Sequence, residues 1–137
     1  MDHSPGFLRI VDEARARIRE VSIDDVERLH ARGAAFTLID VREGEEWARG
    51  HLPGARHLCK GIIERDIEHV VPDRNAHLVL YCGGGFRSAL AAEALQRMGY
   101  TRAESMAGGW RAWTEAGKEI DPGPCPGSDT DGEKKAR

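Results

Sequence analysis

The sequence predicts an α/β fold, with a central, mostly parallel sheet and helices on both faces. Two apolar runs and one clear helix carry that prediction. AFTLIDV (35–41) and HLVLYC (77–82) are short and nearly continuous in apolar and β-branched residues, as strands buried on both faces are. Residues 88–98 have helical spacing, with Leu90, Ala91, Ala94, Leu95 and Met98 on one face. Strands that alternate with helices are joined by crossovers, and crossovers make parallel sheets.

Taken in order, the chain justifies each element. Phe7, Val11, Ala14, Ile18 and Val21 draw one stripe and predict a helix over 7–21. Ser22, with Asp25 three residues later, reads as a capping box that opens a second helix, which stops at Gly33. The strand 35–41 follows, then REGEEWARG, a polar stretch with the pattern of a short helix. GHLPGARHL holds Pro and Gly and reads as a turn entering a short strand near 55–58. Residues 61–70 form a short amphipathic helix with Ile62, Ile63 and Ile67 inward, ended by Pro72. The strand 77–82 and the helix 88–98 come next, with Gly99 as a C-terminal cap. TRAESMA (101–107) is a weak last strand and GGWRAWTEAG a last helix. DPGPCPGSDTDGEKKAR is rich in Pro, Gly and charge without periodicity, so a disordered tail is expected over 121–137.

Composition narrows the function. A chain of 137 residues suits one domain, and a net charge of -3 argues against a nucleic-acid binder, which carries a basic excess. No apolar run approaches the ~20 residues of a membrane helix, and the first residues lack the order of a signal peptide. A cytoplasmic protein with no membrane partner is the expectation. The cysteines at 59, 82 and 125 are too few and too oddly spaced for a disulfide framework, and no metal-ligand pattern accompanies them. No metal and no cofactor is therefore expected.

The informative stretch is YCGGGFRS, which joins the end of a strand to the start of a helix. Three glycines in a row cost backbone entropy, and a chain keeps them where backbone must curl tightly or approach a ligand. The N–H groups of Gly83, Gly84, Gly85, Phe86, Arg87 and Ser88 are expected to converge on the loop's centre, with a helix dipole behind them. Cys82 at the mouth of this cradle is the candidate nucleophile, its thiolate favoured by the field. Arg87 adds charge or braces the loop, and Phe86 shapes a pocket wall. The spacing fits neither a P-loop nor a dinucleotide fingerprint.

Three blocks in order, TLIDVREGEEWARGHLPGARHL, VLYCGGGFRSALAAEALQRMGY and MAGGWRAW, give the chain a resemblance to the rhodanese family over about 22–120. The resemblance implies a single rhodanese-like domain over 22–120 with a five-stranded parallel sheet, preceded by an N-terminal helical extension over 1–21. It implies sulfane-sulfur transfer through a persulfide on Cys82, from a small donor such as thiosulfate or a persulfide to a thiol or cyanide acceptor. A persulfide carrier or interaction module with little turnover, serving a sulfur-relay protein, is the alternative. Four residues separate Cys82 from Arg87, which resembles the family's sulfurtransferases, since its phosphatase relatives carry one more. Gly83 to Phe86 carry no charge, so a low-molecular-weight or protein persulfide is as plausible a donor as a dianion.

Five further residues are candidates for support. Asp40 and Arg42 match the family's strand-end pair and read as a salt bridge that orders neighbouring loops rather than as an active-site floor. Cys59 and Lys60 are expected on the same sheet edge as Cys82. Lys60 would supply the charge the loop lacks, and Glu64 would bond a loop residue or neutralise Lys60. Cys59 is either a small residue under a loop or a thiol that resolves the persulfide. His51 reads as a hydrogen-bonded turn residue, and Trp47, Trp110 and Trp113 as packing anchors.

Overall fold

A computed structural model describes residues 3–122; the remainder of the expected tail, 123–137, lies outside the described residues. The chain runs α1 (Pro5–Arg15), β1 (Arg19–Val21), α2 (Ile23–Ala31), β2 (Thr37–Asp40), α3 (Gly44–Ala48), β3 (Arg56–His57), α4 (Ile63–Val70), β4 (Leu78–Tyr81), α5 (Phe86–Arg97), β5 (Ala103–Met106) and α6 (Gly109–Glu115). Every strand pair is parallel, in the order β1-β5-β4-β2-β3. The two apolar runs are β2 and β4, paired from Thr37↔Leu78 to Asp40↔Tyr81.

Alternation along these strands divides the core into two layers. Ile39, Leu78 and Leu80 pack with Ile63 and Ile67 of α4 and Ala91 and Leu95 of α5. Leu38, Val79 and Tyr81 face the other way, with Val26 and Leu29 of α2 and Trp113 of α6. Both faces of β4 are thus covered, which is why HLVLYC shows no polar alternation. The Ser22–Asp25 capping box forms as expected, with reciprocal bonds of 3.0 and 2.9 Å.

The structure departs from the expected elements at the N-terminus. The first helix ends at Arg15, and Arg19–Val21 is the edge strand β1, paired with β5 from Arg19↔Glu104 to Val21↔Met106. Ile18 packs on one core layer and Val21 on the other. Three residues apart, they would share a helix face; in extended chain they point to opposite faces. The segment called a helical extension therefore includes the sheet's edge strand. At the other end the chain stays attached through Asp121, which exchanges backbone hydrogen bonds of 2.9 and 2.8 Å with His51.

The best-patterned helix also differs in detail. It begins at Phe86, and its buried residues are Ser88, Ala89, Ala91, Ala92 and Leu95, while Leu90, Ala94 and Met98 are half-buried. α5 packs against β4 and β5 and also against α1, so small residues fill two contacts instead of one apolar stripe. Among the described residues no helix is long and apolar enough to cross a membrane.

Candidate active site

Cys82 follows the last residue of β4, so the central strand of the sheet delivers it beyond the carboxyl ends, where open α/β sheets hold ligands. It is 1% exposed. Its Sγ accepts the Gly85 N–H at 3.1 Å and the Ser88 N–H at 3.4 Å. Both donors belong to the first turn of α5 or its cap, so the helix dipole adds to them. The other N–H groups of the expected cradle, those of Gly83, Gly84, Phe86 and Arg87, make no hydrogen bond to Sγ. Ser88 Oγ lies 3.6 Å from Sγ and 2.8 Å from the buried Ser105 Oγ.

Two glycines make this curl feasible. Gly85 caps α5 at φ 95°, and a Cβ there would meet the Gly108 nitrogen at 3.2 Å. Gly109, at φ 54°, lies closer still: a Cβ would sit 2.4 Å from the Cys82 carbonyl oxygen. That approach lets the start of α6 hold the loop from behind. The Trp110 N–H donates to the Cys82 carbonyl at 2.8 Å and the Arg111 N–H to the Gly83 carbonyl at 2.9 Å.

Arg87 braces the loop from the other side. Its guanidinium grips Glu46 of α3 in a fork of 2.9 and 3.1 Å. The guanidinium holds the Glu46 carboxyl below the usual carboxylate range, and Glu46, with a lesser contribution from Cys82, raises Arg87 in return. Over Cys82 opens a cleft of about 740 Å³, lined by His3, Phe7, Glu46, Cys82, Gly83, Gly84, Phe86, Arg87, Trp110, Arg111 and Thr114.

The supporting candidates divide. Asp40 and Arg42 come together, 0% and 3% exposed, in a fork of 3.1 and 2.8 Å. Arg42 also donates to the Gly50 carbonyl at 2.6 Å and lies 4.5 Å from the Trp110 ring. Tyr81 donates to Asp40 at 2.6 Å and accepts the Leu52 N–H at 3.0 Å; burial, with Asp40 beside it, pushes the phenol up and keeps it protonated. The pair thus ties the 50–52 turn and α6 to the sheet, and neither residue lines the cleft.

Cys59 and Lys60 follow β3 and so emerge, as expected, at the same carboxyl edge of the sheet as Cys82, but neither they nor Glu64 line the cleft. The strand order explains it: β2 lies between β3 and β4, which places β3 two strand spacings, about 10 Å, from β4. A direct Cys59–Cys82 bridge needs Cα atoms within roughly 7 Å. The Lys60 N–H bonds the Val41 carbonyl at 3.0 Å, and Glu64 is exposed on α4. The positive charge at the cleft comes instead from Arg111, one residue after a tryptophan read only as an anchor. Phe7 was read as the start of a helix and His3 only as part of the N-terminal extension, and nothing local marks them as neighbours of Cys82. His51 is buried and stacks on Trp47 at 3.5 Å between ring centroids, away from the cleft.

The family model for the Rhodanese-like domain matches residues 22–116. Thiosulfate sulfurtransferase GlpE of Ectopseudomonas mendocina is 30% identical over 98 residues, 72% of this chain and 86% of that protein. YrkF of Bacillus subtilis, whose name describes a sulfur carrier protein, is 28% identical over 102 residues. That match takes in 74% of this chain, which spans about half, 54%, of the length of YrkF. Among solved structures, RPA3614 of Rhodopseudomonas palustris superposes with a TM-score of 0.79 at 31% identity, over 88% of this chain and 98% of that one. It is described as a protein of unknown function and a possible tyrosine phosphatase.

Proposed function

The chain belongs to the rhodanese-like domain family, and from that premise we propose that it transfers sulfane sulfur through a persulfide on Cys82. The observation that carries this reading is the Sγ of Cys82 held at 3.1 and 3.4 Å by the N–H groups of Gly85 and Ser88 at the start of α5. Donors placed there stabilise a thiolate before reaction and the sulfur anion afterwards. The Cys82 thiolate attacks the outer sulfur of thiosulfate or an organic persulfide. The donor's S–S bond breaks, and sulfite or a thiolate leaves with the electron pair. Cyanide or a thiolate then takes the outer sulfur and returns the Cys82 thiolate.

The name of GlpE supports thiosulfate as one donor. The name of YrkF supports a second reading, a carrier that loads once and passes its sulfur to a partner protein. The description of RPA3614 raises phosphate chemistry. The loop speaks against it: four residues between Cys82 and Arg87 give a narrow ring of donors, and Arg87 is already paired with Glu46.

Intact mass after incubation with thiosulfate, beside Cys82→Ala, tests the proposal. The expected result is a gain of one sulfur atom in the wild type only. No gain from thiosulfate or from cysteine persulfide would overturn it. Steady-state release of thiocyanate separates the enzyme from the carrier, which loads but turns over slowly. Hydrolysis of para-nitrophenyl phosphate without sulfur loading would instead support the phosphatase reading.

A further inference from the structure

The cleft over Cys82 is much larger than the one sulfur atom the loop would receive. At about 740 Å³ it falls among pockets that enclose whole organic ligands, roughly 300–1,000 Å³. Part of its wall lies outside the family match, which begins at residue 22: His3 and Phe7 come from the N-terminal segment and α1. They form an aromatic wall with Phe86 of the loop. The His3 ring lies 4.5 Å from Phe86, the Phe7 ring stacks on Phe86 at 6.2 Å, and the Arg15 guanidinium sits 4.8 Å from the Phe86 ring centroid.

The charges in the cleft are unequal. Arg87 and Glu46 neutralise each other. Arg111 is exposed and, among the described residues, has no carboxylate within ion-pair distance. The cleft therefore offers an aromatic wall and, among the described residues, one cation without a carboxylate partner above the buried Cys82.

We propose that the outer cleft is a subsite for the organic body of a small sulfur-carrying thiol, a planar or aromatic one bearing a carboxylate, and that α1 selects it. This rests on the sulfur-transfer reading above. An aromatic wall holds a planar body at little entropic cost, and Arg111 meets a carboxylate. A small thiol also suits Cys82, a residue only 1% exposed, which a cysteine on a folded partner would have to reach. In the transfer, the thiolate RS⁻ attacks the outer sulfur of the Cys82 persulfide. A new S–S bond forms, the bond to Cys82 Sγ breaks, and the Cys82 thiolate leaves with its electron pair. The product is the persulfide RSSH, and no outside oxidant or reductant is needed.

The test uses the full chain, loaded with sulfur and discharged by 2-sulfanylbenzoate or by 2-sulfanylethanol. The expected result is a higher kcat/KM for 2-sulfanylbenzoate. The ratio of the two should fall about tenfold in Phe7→Ala and severalfold in Arg111→Gln. His3→Ala, at the chain's beginning, repeats the measurement if Phe7→Ala fails to fold. Binding of 2-(methylsulfanyl)benzoate, which cannot accept sulfur, reads the subsite without turnover. If it binds the wild type and weakens in the variants while no sulfur loads, the subsite stands and the transfer reading falls. If sulfur loads and discharges but the ratio stays flat across the variants, the subsite proposal falls alone.

Discussion

At the residue scale, Cys82 and its loop were legible because their chemistry is local. A cysteine, a run of glycines and a helix start within YCGGGFRS predict converging N–H groups, and two of them reach Sγ. Gly109 was not legible in that way, because its reason for being glycine is a carbonyl 27 residues earlier. Gly109→Ala is expected to cost roughly 2–4 kcal/mol, since its Cβ would meet the Cys82 oxygen at 2.4 Å in a left-handed conformation. Gly33→Ala, at φ 65° but in open space, should cost only about 1 kcal/mol. Thermal denaturation of both variants checks the contrast. Equal losses would mean that the α6 start yields rather than clasping the loop. Asp40 makes a second residue-scale case. Asp40→Ala leaves the Arg42 guanidinium buried with the Gly50 carbonyl as its remaining hydrogen-bond partner, and should cost roughly 3–5 kcal/mol in denaturant unfolding. A loss under about 1 kcal/mol would show that water reaches the pair.

At the scale of elements, patterns that serve one partner were easier to see than patterns that serve two. β2 and β4 announced themselves because both of their faces are apolar. β1 did not: of Arg19, Glu20 and Val21 only the valine is buried, so an edge strand of three residues borrowed its look from the helix before it. Cys59 and Lys60 were placed near Cys82 because both follow a strand end, and the strand order, which sequence spacing does not encode, put β2 between them. α3 was foreseen as a short helix, but not that Glu46 on it would hold Arg87 of α5. That tie has a pH signature. The Glu46 carboxyl titrates below its ordinary value of 4.5 in the folded protein, so its contribution is complete above that value and is lost as pH falls through the lower one. The stability difference between wild type and Glu46→Gln should be constant at about pH 6 to 8 and shrink below about pH 4.5. Denaturant unfolding across that range checks it, and a difference that stays constant into acid would remove Glu46 as the titrating partner.

At the scale of the whole molecule, the sheet and the two layers of helices place Cys82 at the central strand's end, and α1 contributes part of the cleft wall above it. α1 packs along α5, with Val11 and Ala14 buried, and projects Phe7 and the preceding His3 over the loop. Access to Cys82 should therefore depend on the size of the reagent. Cys59 is half-exposed and does not line the cleft, so it serves as an internal reference on the same chain. Iodoacetamide should label Cys82, while a pyrene maleimide should label Cys59 well ahead of it, as mapped by peptide masses over a time course. Phe7→Ala should raise the rate at Cys82 for the bulky reagent by severalfold more than for iodoacetamide, with Cys59 unmoved. Field effects on the thiol act on both reagents and cancel in that comparison, so only the wall contributes. If both reagents respond equally to Phe7→Ala, α1 supports the sheet without gating the cleft, and the size selection must come from Trp110 and α6 instead.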